Sequence, residues 1–92
     1  MNKCLRVTLF LKSYSDDLVA SIQKTAKKLK VEGTIQSIDK KTLKLIACGK
    51  SEAVDLFMDQ IYKGHKNEIP LDVEVEPFLR DRDYRGVFRI IE

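Results

Sequence analysis

The stretch LKSYSDDLV, residues 11–19, brings hydroxyl, phenol and carboxylate groups to a position where α/β proteins often bind anions. It follows an apolar, strand-like run and precedes a periodic segment that predicts a helix. The free N–H groups at a helix start attract phosphate and carboxylate groups. A phosphate-binding loop is typically rich in glycine, because its backbone must approach the ligand closely. This loop has no glycine, and two aspartates accompany its two serines, so it lacks the usual residues of an anion site.

The same residues also suit an ordinary helix start. Ser15 is a favourable N-cap, and Asp16 and Asp17 in the first turn complement the helix dipole. Apolar residues then recur with helical spacing at Leu18, Ile22, Ala26 and Leu29, while Lys24, Lys27 and Lys28 point away. Since each residue has a local structural role, we interpret the stretch as a capped helix start that no longer holds a phosphate.

The remaining patterns predict five strands and one more helix. Alternation at Leu5, Val7, Leu9 and Leu11 predicts the first strand, before the loop. TIQSID and TLKLIAC predict a hairpin around Asp39, Lys40 and Lys41, with a turn longer than two residues. A second helix is predicted from the stripe Ala53, Val54, Phe57, Met58 and Ile61, with Gly64 as its C-cap. LDVEVEPF, with its Pro77, predicts an edge strand, and YRGVFRIIE predicts the last strand.

This order of elements predicts the fold class. Two β-α-β units joined by a hairpin form the split β-α-β, ferredoxin-like arrangement, and here one extra strand follows. Right-handed crossovers place both helices on one face of a mostly antiparallel sheet. We therefore expect an α+β two-layer sandwich, with residues 1–92 forming one domain, since a chain of this length suits a single small domain.

Composition and charge limit the possible functions. The net charge of +3 is too small to indicate nucleic-acid binding by itself, although eight lysines between residues 21 and 50 face only two acids. No apolar run approaches the roughly 20 residues that cross a bilayer, and the N-terminus lacks the features of a signal peptide, so we expect no membrane partner and a cytoplasmic location. His65 stands alone, and no cysteine cluster has metal-ligand spacing. We expect no metal and no cofactor.

Cys4 and Cys48 are too few for a disulfide framework. The predicted topology places the start of the first strand antiparallel beside the end of the third, so the two thiols are candidate neighbours. Because a reducing cytoplasm keeps thiols free, we expect both to be unpaired.

Small or apolar residues lie at Ala26, Leu29, Val31, Gly33, Ile35, Leu43 and Gly49, and Phe88 and Ile90 lie near the C-terminus. In this pattern the chain resembles the acylphosphatase family over nearly its whole length. The family carries G-x-V-x-G-V-x-F-R at the first loop and G-x-V-x-N after the first helix. The resemblance implies a loop whose N–H groups hold a phosphate, an arginine that clamps it, and an asparagine that positions the attacking water.

This sequence departs from each of those parts. The loop glycines fall at Leu11 and Ser15, the arginine falls at Val19 and the asparagine at Ser37. No arginine occurs between Arg6 and Arg80, so a shifted alignment does not restore it. The residues equivalent to the phosphate loop are Lys12, Ser13, Tyr14, Ser15, Asp16, Asp17 and Leu18, and the two carboxylates would repel a phosphate. We expect no active catalytic residues, since the loss of one transition-state donor already costs about 10²–10³ in rate.

Three functions follow as hypotheses. The first is an acylphosphatase-like domain without acyl phosphate hydrolysis, retained as a binding or regulatory module for a small anionic ligand or a protein partner. The second is an acylphosphatase with rearranged groups, in which Lys12 acts with Ser13 or Ser15. The third is a nucleic-acid-binding module that uses a basic face between Lys24 and Lys44. YRGVF echoes an RNA-recognition run, but we expect its Tyr84 and Phe88 to serve in packing.

Overall fold

The structure is a computed structural model that describes residues 2–79 and 84–91. Its elements follow the predicted order. They are β1 (Asn2–Phe10), α1 (Asp16–Leu29), β2 (Glu32–Asp39), β3 (Thr42–Lys50), α2 (Ser51–Lys63), β4 (Asp72–Pro77) and β5 (Phe88–Ile91). No helix within the described ranges is long and apolar enough to cross a membrane.

The five strands form one sheet with the order β4-β1-β3-β2-β5. β1 pairs antiparallel with both β3 and β4, β2 pairs antiparallel with β3, and only β5 runs parallel to its neighbour β2. This mixed sheet with two helices is the ferredoxin-like α+β arrangement that the sequence predicts. β1, β3 and β2 are therefore the three inner strands, and β4 and β5 form the two edges.

The alternation along the strands divides the sheet into two faces. Directly paired residues share a face, and Val7, Leu45 and Ile35 line up across β1, β3 and β2 on the side that the helices cover. All three are buried, as are Leu9 and Leu43 in the next row. α1 packs on β2 and β5, and α2 packs on β1 and β3. From the helices, Leu18, Ile22, Ala26, Val54, Phe57, Met58 and Ile61 enter this core.

The other face of the sheet carries no helix, and it holds the two cysteines. Cys4 stands directly opposite Cys48 in the β1–β3 register, with 4.1 Å between their Cα atoms, and the two form a disulfide. The expectation that they are neighbours is confirmed. The expectation of free thiols is wrong for this structure. It rested on the cellular compartment, whereas the antiparallel register holds the two side chains close enough to bond.

Two predicted boundaries also need correction. The hairpin turn is only two residues long, because Asp39 pairs with Thr42 and a shift in register between Ser37 and Asp39 accommodates the extra residue in β2. The last strand begins at Phe88 rather than at Tyr84. Arg85 and Gly86 form a turn with positive φ angles ahead of it, and the last residue of that predicted strand, Glu92, lies outside the described residues.

Candidate functional site

The loop of residues 11–15 joins β1 to α1 at one end of the sheet. Its first residue, Leu11, has a buried side chain, and the Leu11 N–H donates to the Lys41 carbonyl oxygen over 2.7 Å. This bond places the loop beside the β2–β3 turn. The loop is thus fixed at its β1 end by the hairpin.

Tyr14 fastens the middle of the loop to β2. Its hydroxyl donates to the Asp39 carbonyl oxygen at 2.7 Å and lies within hydrogen-bonding distance of the Ser37 hydroxyl. Since the single phenol proton goes to the carbonyl, the Tyr14 oxygen is left to accept from Ser37. The ring is half-buried and packs against the core. The sequence did not assign a partner to Tyr14, and this contact occupies the position that the resemblance equates with a water-positioning asparagine.

Ser15 occupies the N-cap position of α1, as predicted, with an extended backbone. Its side chain does not cap its own helix. Instead, the Glu68 carboxylate accepts from both groups of Ser15, with 2.5 Å from the N–H to Oε2 and 2.7 Å from Oγ to Oε1. A carboxylate 53 residues away in the sequence therefore accepts the hydrogen bond of the N-cap N–H, which has no partner within the helix. Such a charge at a helix N-terminus also complements the helix dipole.

A tight turn after α2 brings Glu68 to this place. Gly64 ends α2 with a φ of 73°, and a Cβ atom at this position would lie 2.4 Å from the Glu68 carbonyl oxygen. His65 and Glu68 then exchange backbone hydrogen bonds of 3.1 and 2.9 Å. Lys66, at the tip of the turn, forms an exposed ion pair of 3.6 Å with Asp17. The sequence reasoning missed Glu68, because only Gly64 hints at the turn and nothing local links it to Ser15.

The structure brings only part of the predicted loop set together. Val19 is half-buried and packs against the core, and Leu18 is buried. Lys12 and Ser13 are exposed, as are the first-turn residues Asp16 and Asp17. The loop therefore presents no arginine fork, and the carboxylates of Asp16, Asp17 and Glu68 lie at or near the helix start.

One carboxyl group beside the site has a displaced pKa. The Lys41 N–H donates to Asp39 Oδ1 at 2.8 Å, and this bond, with a smaller contribution from Thr42, holds the pKa of Asp39 below its ordinary value. The carboxylate thereby stabilises the two-residue turn on which the loop rests.

The groove between the two helices has little room for a ligand. The groove between α1 and α2 has an apolar floor of Leu9, Leu18, Ile22 and Ile61, and its volume of about 30 Å³ holds one or two water molecules at most. No group of three potential metal ligands occurs in the described part of the chain.

The lysines proposed as one basic face are divided between two sides of the molecule. Lys24, Lys27 and Lys28 are exposed on α1, in the helical layer. Lys44 pairs with Thr8 and therefore lies on the helix-free face of the sheet. A single flat contact cannot use all of them together.

Comparison with solved structures identifies the fold. An acylphosphatase from Coxiella burnetii superposes with a TM-score of 0.87 and 22% identity, covering 98% of this chain and 93% of that one. An acylphosphatase from Bacillus subtilis gives a TM-score of 0.86 and 20% identity, with both chains fully covered. The chain has an acylphosphatase-like fold. Full-length HypF in a phosphate- and nucleotide-bound form also matches, with a TM-score of 0.84 and 14% identity over 12% of its length.

The acylphosphatase-like fold is thus kept at low sequence identity. No family model matches the chain, and no curated protein sequence matches it. Identities of this size establish the fold and leave the chemistry to the residues of the site. The equivalence of Val19 and Ser37 with the family's arginine and asparagine stays a prediction.

Proposed function

We propose that this acylphosphatase-like domain does not hydrolyse acyl phosphates and serves as a small binding or regulatory module. The observation that carries the proposal is Val19, which stands at the position predicted for the phosphate-clamping arginine and packs against the core. An apolar side chain cannot stabilise the charge that develops on a transferring phosphoryl group. Hydrolysis would then depend on cations that are exposed or paired elsewhere.

Two further contacts support the loss of hydrolysis. Ser37, at the position predicted for the asparagine, shares its hydroxyl with Tyr14. Ser15 donates both its N–H and its hydroxyl to the Glu68 carboxylate. The protein's own carboxylate thus uses two donors that a bound phosphate would need. A phosphate would have to displace this charge and approach two more on Asp16 and Asp17.

The match with HypF supports a modular role. There the same fold forms only a small part of a longer chain. This arrangement of strands and helices can therefore serve as one domain of a larger protein. A component without hydrolysis would act through binding. For this chain we propose either a small anionic ligand or a protein partner.

An assay with benzoyl phosphate tests the proposal. We expect the wild-type protein to show no turnover above spontaneous hydrolysis, with an active acylphosphatase as the positive control. The variant Val19→Arg/Ser37→Asn introduces the arginine and asparagine of the family pattern. Adding Glu68→Gln removes the negative charge of the carboxylate bound to Ser15. If the predicted equivalence is right, turnover appears in the double variant and rises in the triple one.

A matched variant separates a true clamp from added charge. Val19→Lys/Ser37→Asn supplies a point charge instead of a bidentate fork and should be much less active. Wild-type turnover within about tenfold of the positive control would contradict the proposal, because one lost donor already costs about 10²–10³. That result would favour the alternative in which Lys12 acts with Ser13 or Ser15.

A further inference from the structure

The two edges of the sheet differ in their capacity to accept another strand. At the β4 edge, the Phe78 N–H donates to the Cys4 carbonyl oxygen at 3.1 Å, so the even-numbered residues of β4 bond to β1 and the odd-numbered ones face outward. The Val73 N–H is satisfied by Asp72 Oδ1 at 2.9 Å, and Pro77 has no N–H. Only the Val75 N–H is left to donate, which protects this edge against pairing.

At the β5 edge, Gln23 Nε2 occupies the outward carbonyl oxygen of Phe88, and none of the described residues occupies the N–H or C=O of Ile90. The Gly33 N–H donates to the Val87 carbonyl oxygen at 2.9 Å, which sets the parallel ladder and directs the N–H and C=O of Ile90 away from β2. The side chain of Ile90 is 42% exposed, and those of Val87 and Ile91 are each 39% exposed. The edge therefore offers free backbone groups between apolar side chains.

The surroundings of the β5 edge are basic. Gln23 of α1 donates to the Phe88 carbonyl oxygen at 2.9 Å, which locates the side of α1 that faces β5. Lys27 lies one helical turn further on the same side, in the helical layer. Arg89 projects from the helix-free face of the sheet beside Ile91, and Glu32 of β2 lies on that same face. Neither cation forms an ion pair with the described residues. The β4 edge, by contrast, carries Asp72, Glu74 and Glu76.

We propose that the β5 edge binds an extended segment of another protein, in which acidic residues alternate with apolar ones. The segment would add a sixth strand through the N–H and C=O of Ile90. Its apolar side chains would cover Ile90 on the helical side, and its carboxylates would lie near Arg89 on the open face. The inference rests on the proposed binding role and names the chemistry of the partner.

A second copy of the chain fits this edge less well. Two β5 edges that pair with each other would bring the Arg89 side chains of both copies near each other on the open face, and like charges at short distance repel. Charge complementarity therefore selects an acidic partner.

Titration with two synthetic peptides tests the proposal. The probes are acetyl-GEVEVEVG-amide and its lysine counterpart acetyl-GKVKVKVG-amide, each added to ¹⁵N-labelled protein. We expect the acidic peptide to shift the amide signals of residues 87–91 and to leave those of β4 unchanged. The lysine peptide should bind at least about tenfold more weakly, which corresponds to one favourable charge contact of about 1.4 kcal/mol.

A charge reversal makes the test independent of folding. The variant Arg89→Glu should lose about tenfold in affinity for the acidic peptide and gain affinity for the lysine peptide, a gain that an unfolded protein would not show. The control Lys63→Glu, exposed in the last turn of α2, should leave binding unchanged. Equal binding of both peptides, or shifts centred on β4, would overturn the proposal.

Sedimentation of the protein without peptide covers the remaining outcome. Self-association that disappears in Arg89→Glu would assign the edge to a second copy and would also overturn the proposal. The benzoyl phosphate assay does not depend on any of these measurements. Failure here and failure of the proposed loss of hydrolysis are therefore distinguishable.

Discussion

The chain passes from strand to helix twice, and the two junctions are built differently. Between β1 and α1 lie the five residues 11–15, whereas α2 begins at Ser51 directly after β3 ends at Lys50. The first junction donates hydrogen bonds to the hairpin and to the turn after α2. The second has no side-chain cap hydrogen bond. Only the first has several residues of backbone between strand and helix, and two of its N–H groups, those of Leu11 and Ser15, donate to other parts of the protein.

The difference shows that distant parts of the chain hold the first junction in place. The loop's own Tyr14 bonds to β2, and Glu68 from the turn after α2 bonds to Ser15. The loop then has a defined conformation without a ligand. Four changes test how firmly the first junction is held relative to the second.

The largest effect should come from the disulfide, which ties together the strands that lead into the two junctions. Cys4 and Cys48 close a loop with a sequence separation of 44. Loop-closure entropy for such a length corresponds to about 4 kcal/mol at 25 °C. We expect dithiothreitol to lower the free energy of unfolding in urea by about this amount.

The double variant Cys4→Ala/Cys48→Ala is the matched control, because dithiothreitol should leave its stability unchanged. A thiol count on unreduced protein should find neither cysteine free. Two free thiols in protein trapped directly from cells would instead agree with the expected cytoplasmic location and would contradict a bond in the cell.

The next effect should come from Glu68→Ala, which removes the carboxylate from the first junction. The Ser15 N–H and hydroxyl would both lose a charged acceptor. Because the pair is exposed, we expect a loss of about 1–2 kcal/mol in the free energy of unfolding, below the range for buried charged bonds. Glu74→Ala, on the helix-free face of β4, is the control and should change stability by less than about 0.5 kcal/mol. Equal effects of the two variants would mean that the Glu68 contact does not hold the loop.

A smaller effect should follow from Tyr14→Phe. This change keeps the ring in the core and removes the bonds to Asp39 and Ser37, so we expect a loss of about 1 kcal/mol in urea unfolding. Tyr62→Phe is the control, since the Tyr62 side chain is exposed on α2. A Tyr14→Phe protein as stable as the wild type would show that the hydroxyl does not fasten the loop to β2.

The smallest effect should be the pH response of the hairpin beneath the first junction. The folded pKa of Asp39 lies below its ordinary value of 3.8, chiefly because the Lys41 N–H binds the carboxylate. Its contribution to stability is therefore complete above the unfolded pKa and is lost as the pH falls through the folded pKa. We expect the Lys41 amide signal to titrate below pH 3.8, and Asp39→Asn to abolish that titration. A midpoint above 3.8 would contradict the assignment.

Most of the fold followed from local patterns in the sequence. Alternation in β1 and periodicity in α1 depend on residues a few positions apart, and these patterns correctly placed Val7, Leu9, Leu18 and Ile22 in the core. The hairpin turn was misjudged by one residue. A register shift inside a strand leaves the same apolar residues facing inward and has no distinct composition.

The contacts of the candidate site could not be predicted in the same way. Glu68 reaches Ser15 across 53 residues, and the sequence contains nothing that pairs them. Val19 and Ser37 were assigned by comparison with the family pattern. That pattern shows that the arginine and asparagine are absent, but it does not show which residues Val19 and Ser37 contact. The engagement of Tyr14 and Ser15 by other parts of the chain became visible only when the elements were assembled.

The turn conformation at Gly64 has a consequence for sequence change in this protein. Any side chain there would press on the backbone of Glu68, which lies across the turn. A substitution at residue 64 would therefore act on the loop that begins 53 positions earlier at Leu11, although the two never touch. Natural substitutions at Gly64, Glu68 and Ser15 should therefore occur together. A related protein that binds a different ligand at this loop should also have lost the glycine.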